Sequence, residues 1–193
     1  MKRYLLFAFL FFASSSEGQS NIHSKSELVY KTRKGHSILV TQGEIYYNRH
    51  LIYKYEEDGI IYDSEYNKFI ENNGSVLLFL TVDNSPNKNL LEGFKISRGR
   101  AKLLSEAVVS KIADLDNDGF LEYGGADVTE VYPNKDSMYY IPTKYFEIRN
   151  GSVYFDPVLT RHKDIELNGI YLKNPLNKAG NCCKVIRKPG KRK

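Results

Sequence analysis

The sequence predicts a mainly β protein: a sandwich, an open barrel or an antiparallel meander, with at most one or two short helices. Three observations predict it. Short runs of aromatic and β-branched residues recur along the chain, and turn dipeptides separate them. The dipeptides are Asn-Gly or Asp-Gly, which tolerate the positive φ of type I′ hairpin turns. The chain holds 15 Tyr and 10 Phe but no Trp, a composition that suits strands.

In order, the chain opens MKRYLLFAFLFFASSSEGQS. Lys2 and Arg3 precede a short apolar run, and small residues follow it. That order reads as a secretory signal peptide over residues 1–18, with cleavage after Gly18. A membrane span needs about 20 apolar residues, and this run is shorter. No later stretch is long and apolar enough to span either. The expected mature protein is therefore exported, either secreted or periplasmic. Residues 19–183 form one expected β-rich domain, and residues 184–193 a basic tail.

Within the domain, Glu44 to Tyr55 leads to Asp58-Gly59 and then Ile-Ile-Tyr-Asp. Tyr66 to Ile70 leads to Asn73-Gly74 and then Ser-Val-Leu-Leu-Phe-Leu-Thr-Val-Asp. Tyr145 to Ile148 leads to Asn150-Gly151, and Asn168-Gly169 precedes Ile-Tyr-Leu. Each pair reads as a hairpin. Asn73-Gly-Ser and Asn150-Gly-Ser also match the N-glycosylation sequon. Leu104, Val108 and Ile112 fall at helical spacing, so the stretch from Ala101 reads as a short helix or irregular start, then a strand.

That strand enters Asp-Leu-Asp-Asn-Asp-Gly-Phe-Leu-Glu, residues 114–122. Asp114, Asp116, Asp118 and Glu122 alternate around Gly119, and Phe120 offers a backbone carbonyl. Alternating oxygen donors around a tight glycine turn are how a chain wraps a hard cation; calcium takes about six to eight oxygens. Between Lys111 and Lys135 there is no Lys or Arg to offset the charge, while Asp127 and Glu130 add to it. The ligands expected of one structural Ca2+ are Asp114, Asp116, Asp118, Phe120 and Glu122. An EF-hand wants a bidentate Glu at position 12, and here that position is Gly125.

Residues 112–123 resemble instead the calcium loop of FG-GAP, or integrin-type, repeats and of the related bacterial VCBS proteins. In those an apolar strand leads into an Asp-x-Asp/Asn-x-Asp-Gly-x-x-Asp loop and a second strand leaves it. Glu122 stands where the family has Asp. The resemblance covers about a dozen residues, so it implies a metal loop and not a propeller.

No G-x-S-x-G elbow, P-loop or H-E-x-x-H helix occurs, and His23, His36, His50 and His162 are not at metal-ligand spacing. Glu56-Glu57 sits before a turn, where solvated acids are ordinary. Tyr139, Tyr140 and Tyr145 are the candidate ligand contacts, with ordinary strand packing as the competing use of the same side chains. Cys182 and Cys183 are adjacent, which excludes a disulfide scaffold and leaves free thiols, a vicinal ring or intermolecular pairing.

Net charge is +5. Taking away the leader's net +1 and the tail's six basic residues leaves −2 in the body. The tail can touch anionic surfaces, or fray into solvent. The expected function is a non-catalytic calcium-binding module for a glycan or protein, with no nucleic acid as partner. An inhibitor of a secreted hydrolase and a calcium-supported hydrolase are the alternatives.

Overall fold

The computed structural model describes residues 26–72, 74–126 and 133–190. The expected leader, His23, Asn73, Asp127, Glu130 and the end of the basic tail lie outside them. Among the described residues the protein is mainly β, with antiparallel sheets and one short helix.

Two four-stranded meanders come first. β1 (Glu27–Lys31), β2 (Ser37–Thr41), β3 (Glu44–Tyr47) and β4 (His50–Lys54) form one. β5 (Lys68–Asn72), β6 (Ser75–Val82), β7 (Leu90–Ser97) and β8 (Arg100–Val108) form the next. A third sheet takes β9 (Leu121–Ala126), β11 (Thr143–Arg149) and β12 (Ser152–Phe155) in the order β12-β11-β9. β10 (Ser137–Tyr139) pairs with β13 (Val185–Arg187). Helix α1 runs Pro157–Asn168.

The second sheet is the middle layer. Along β6, side chains alternate between two cores. Val76, Leu78 and Leu80 join Phe94 and Ile96 against Leu28, Ile38, Val40 and Ile45 of the first sheet. Leu77 and Phe79 join Leu91 and Ala107 against Tyr123, Phe146 and Val153 of the third. Edge-on aromatic pairs mark each seam: Tyr53 to Phe94 at 4.8 Å and Phe79 to Tyr123 at 5.2 Å. A buried polar tie crosses the first seam, where Tyr55 Oη donates to Glu92 Oε2 at 2.6 Å.

A hairpin forms at Asn150-Gly151, as predicted, and β5 and β6 pair antiparallel from Asn72 and Ser75 onward. Gln42-Gly43, Asn48-Arg49 and Arg98-Gly99 also turn with positive φ at both residues, as type I′ turns require. Asn48-Arg49 therefore splits the single run expected over Glu44 to Tyr55. Asp58-Gly59 does not make a hairpin. Asp58 Oδ1 accepts from Ile60 N at 3.2 Å, and residues 59–61 then pair with the end of β6 through Asp83 N to Gly59 O and Ile61 N to Thr81 O. Asn168-Gly169 is not a hairpin either. Gly169, at φ 75°, ends α1 and donates its amide to Ile165 O.

That helix escaped the sequence reading although its signals are present. Asp156 Oδ1 accepts from Val158 N and Leu159 N, both at 2.9 Å, and Pro157 occupies the first turn. Conversely, the stretch from Ala101 is the strand β8, with no helical start. A β-bulge opposite Gly93–Phe94 leaves Leu104 as an extra residue, so Ala101 and Leu103 pack on the first core while Leu104 and Ala107 pack on the second, and the alternation that marks a strand is broken. The described part of the tail, residues 184–190, is tied to the domain by backbone hydrogen bonds. Lys184 N donates to Pro175 O, Tyr140 N to Lys184 O and Lys188 N to Asp136 O. Cys182 and Cys183 are joined in a disulfide with each other.

Gly93 sits where the middle and third layers meet. A Cβ there would stand 2.5 Å from Ser105 Oγ, 3.0 Å from Tyr123 Oη and 3.1 Å from Phe79 Cε1. Gly93→Ala is expected to destabilise the fold by about 1–3 kcal/mol, read as a lowered urea midpoint. Gly35→Ser, in open space at positive φ, gives the reference for backbone strain alone. A Gly93→Ala midpoint equal to that of the natural chain contradicts the close packing described.

Candidate metal centre

A small antiparallel bridge closes the acidic loop. Ala113 N donates to Glu122 O at 3.0 Å, and Glu122 N donates to Ala113 O at 2.8 Å. The intervening residues must reverse direction tightly. Asn117 at φ 65° and Gly119 at φ 90° supply the left-handed backbone this needs.

The reversal turns several amides inward. Asp118 N donates to Asp114 Oδ1 at 3.2 Å, Gly119 N to Asp114 Oδ2 at 3.1 Å and Phe120 N to Asp118 Oδ1 at 2.9 Å. Leu115 N donates to Glu122 Oε2 at 2.7 Å. Asp114, Asp116, Asp118 and Glu122 each offer a carboxylate oxygen, and these four atoms lie within 4.8 Å of one another. Calcium holds its ligands at about 2.3–2.6 Å, so two ligands on one ion stand at most about 5 Å apart. The cluster already meets that limit. The structure thus brings together the four acids singled out in the sequence. Phe120 sits in the same turn, and its amide is taken by Asp118.

The four acids are unequal. The three aspartates are exposed, whereas Glu122 is fully buried. Strand alternation explains this. Tyr123 faces the second core, so Glu122 faces the opposite side of β9, directly across from Glu147 on β11. One Glu122 oxygen accepts from Leu115; the other, Oε1, is buried with no hydrogen-bond partner. Burial pushes the Glu122 pKa above the ordinary carboxylate range. The Leu115 amide partly offsets that, and Asp116, Asp118 and Asp114 push it further up.

One cation does reach the cluster, from a place local sequence did not reveal. Arg149, at the end of β11, pairs with Glu147 through Nε and Nη2, and Nη2 lies 3.7 Å from Asp118 Oδ2. Its guanidinium lies over the Phe120 ring, 4.2 Å from the centroid. The guanidinium is shared between Glu147 and Asp118, so it offsets only part of the loop's charge. The register that sets Glu147 across from Glu122 is what carries Arg149 here, and no spacing within residues 112–123 could have signalled it.

The three candidate tyrosines do not form a shared surface. Tyr139 is exposed, Tyr145 is half-buried, and Tyr140 is fully buried. Tyr140 Oη donates to Asp164 Oδ2 at 2.7 Å and accepts from Leu172 N at 3.1 Å, and burial pushes its pKa up to about 12. It is a core residue tying α1 and the Leu172 segment to β10.

Because the folded chain holds the Glu122 proton more tightly than the unfolded chain, ionising Glu122 without a cation opposes folding. Stability in chelator should therefore fall as pH rises from the ordinary carboxylate range through the raised folded value. Glu122→Gln removes that slope. In chelator the variant should be the more stable chain at about pH 7, with the gap closing by about pH 4. Urea unfolding across that range checks it, and a natural chain more stable than Glu122→Gln at neutral pH contradicts an unpaired buried charge.

Comparison with family models, curated proteins and solved structures finds no match to this chain. The resemblance to FG-GAP and VCBS loops accordingly rests on residues 112–123 alone.

Proposed function

We propose that this chain is an exported calcium-binding β domain whose work is binding rather than chemistry. The ion would be held by Asp114, Asp116, Asp118 and Glu122, with the Phe120 carbonyl as a fifth protein ligand. It would tie the loop to β9 and β11.

The observation that carries the reading is Glu122 Oε1. A buried carboxylate oxygen without a donor costs free energy that a native fold rarely leaves uncompensated. Here the group beside it is a set of three further carboxylates, which can only worsen the repulsion. A divalent cation removes both penalties at once. Four carboxylates on a pliable loop suit calcium, which accepts irregular all-oxygen shells, better than magnesium, which keeps several waters and demands an octahedron. With Oε1 on a metal and Oε2 on the Leu115 amide, Glu122 is left no free oxygen to act as a general base, which favours binding over hydrolysis. A glycan or a protein is the class of partner that follows for an exported module.

Exported calcium modules bind at about 0.1–1 mM. A ligand at about 100 times its Kd stabilises a fold by about 2.7 kcal/mol. For a chain of this size the melting midpoint should then rise by roughly 5–10 °C on going from chelator to saturating calcium. Asp116→Ala with Asp118→Ala should abolish the rise. A midpoint indifferent to calcium in the natural chain refutes the metal site. A rise that persists in the double variant places the ion elsewhere.

A further inference from the structure

The two meanders deliver their hairpin tips to one end of the molecule. Asn48 N donates to Ser37 O at 2.8 Å and Ser37 N donates to Asn48 Oδ1 at 2.9 Å, which joins the β1–β2 and β3–β4 tips. The His36 ring packs on Tyr47 at 5.2 Å. A Cβ built on Gly99, in the β7–β8 tip, would stand 3.7 Å from the Tyr47 ring. One built on Gly74, in the β5–β6 tip, would stand 3.3 Å from Lys34 Nζ.

These contiguous tips carry Arg33, Lys34, Arg49, Arg98 and Arg100, all exposed. Among the described residues none of the five forms an ion pair. The acid lining the cleft between the tips is Glu71, and its Oε2 is occupied by Tyr30 Oη at 3.1 Å and Arg33 N at 2.9 Å. The body of the chain is slightly acidic by formal charge, so five unpaired cations at one end are a concentration against the trend.

We propose that this end of the protein is a docking surface for an acidic polysaccharide, a sugar chain bearing repeated sulfate or carboxylate groups. The cations are spread rather than convergent. Neighbouring tips within the first sheet stand about 10 Å apart, two strand spacings. The cleft between the tips holds only about 20 Å³, enough for one water and no small anion. A ligand that engages several tips must itself carry charge at intervals. No exposed large apolar side chain lies within residues 31–36, 48–50 or 97–100, though Leu51 begins the outer face just beyond. A membrane-surface site wants such side chains in its midst. Tyr47 and His36 are each half-buried and tilt against one another at 5.2 Å, so they do not present the open stacking platform that single-stranded nucleic acid uses. The surface shares no residue with the acidic loop and does not depend on the metal reading.

Heparin, a sulfated polysaccharide, is the probe, titrated onto the purified protein at one fixed calcium concentration. Binding should be measurable near physiological salt and weaken steeply as salt rises. Arg49 and Arg98 stand at φ 68° and 50°, a conformation Asn adopts readily. Arg49→Asn with Arg98→Asn should therefore keep the fold, verified by an unchanged melting midpoint. At about fivefold per cation, that pair should lose roughly 25-fold in affinity. Arg33→Gln with Lys34→Gln repeats the test on a separate hairpin. Lys184→Gln with Arg187→Gln, in the basic tail, should change little. Full heparin affinity in both tip variants overturns the proposal, as does a larger loss from the tail variant. Tighter binding to duplex DNA or to phosphatidylglycerol vesicles than to heparin at equal salt overturns the choice of partner.

Discussion

A strand with no face toward water sets the plan of this protein. From Val76 to Thr81 every side chain of β6 is buried. Each large apolar side chain fully removed from water is worth about 1.5–3 kcal/mol. The five such residues of β6 therefore contribute roughly 10 kcal/mol before chain entropy is counted, a large sum against the net stability of a domain. That gain is realised only if both faces of the second sheet are covered. The first sheet covers one with Leu28, Ile38, Val40 and Ile45, and the third covers the other with Tyr123, Phe146 and Val153. Neither outer layer is an ornament on a self-sufficient middle.

The acidic loop inherits its geometry from that packing. Tyr123 must face the second core, where it meets Phe79 at 5.2 Å and Phe146 at 5.7 Å. Alternation then sends its neighbour Glu122 to the other side of β9, and the bridge to Ala113 pulls the loop across it. One carboxylate is thus held rigidly by the fold while three exposed aspartates gather round it. In the proposed metal site one carboxylate would thus be in place before an ion arrives, beside three exposed ones that the loop amides already gather. Arg149, braced on Glu147 and on the Phe120 ring, tempers the repulsion at Asp118 without reaching all four acids.

Much of this was legible in the residues themselves. Asn150-Gly151 announces its hairpin because a type I′ turn is a local requirement that two residues can meet. The acids at 114, 116, 118 and 122 announce a cluster because alternation around one glycine is equally local. What stayed hidden depends on partners distant in the chain. Arg98-Gly99 turns as sharply as an Asn-Gly pair, yet Arg pays a conformational penalty there that only flanking strand pairing can offset. The β8 bulge hid a strand by interrupting its alternation: Leu103 packs on the first core and Leu104 on the second. Tyr140 reads as a surface aromatic until Asp164, on a helix further along, is seen to accept its hydroxyl proton. Helix α1 carries ordinary start and stop signals in Asp156, Pro157 and Gly169, but its stop, Asn168-Gly169, is the same dipeptide that turns a hairpin at 150–151.

The two meanders join neighbours in sequence, and the third sheet does so only where β11 and β12 form their hairpin. β9 finds its partner only at β11, and β10 finds its own only at β13, near the end of the described chain. A chain emerging from its N-terminus can therefore complete eight strands and one core while Leu77, Phe79 and Leu91 still face water. That bare apolar face persists until Phe146 and Val153 have followed. For as long as synthesis lasts, the half-built protein presents a hydrophobic surface. The later third of the sequence acts, in that interval, as the intramolecular cover that keeps one copy from sticking to the next.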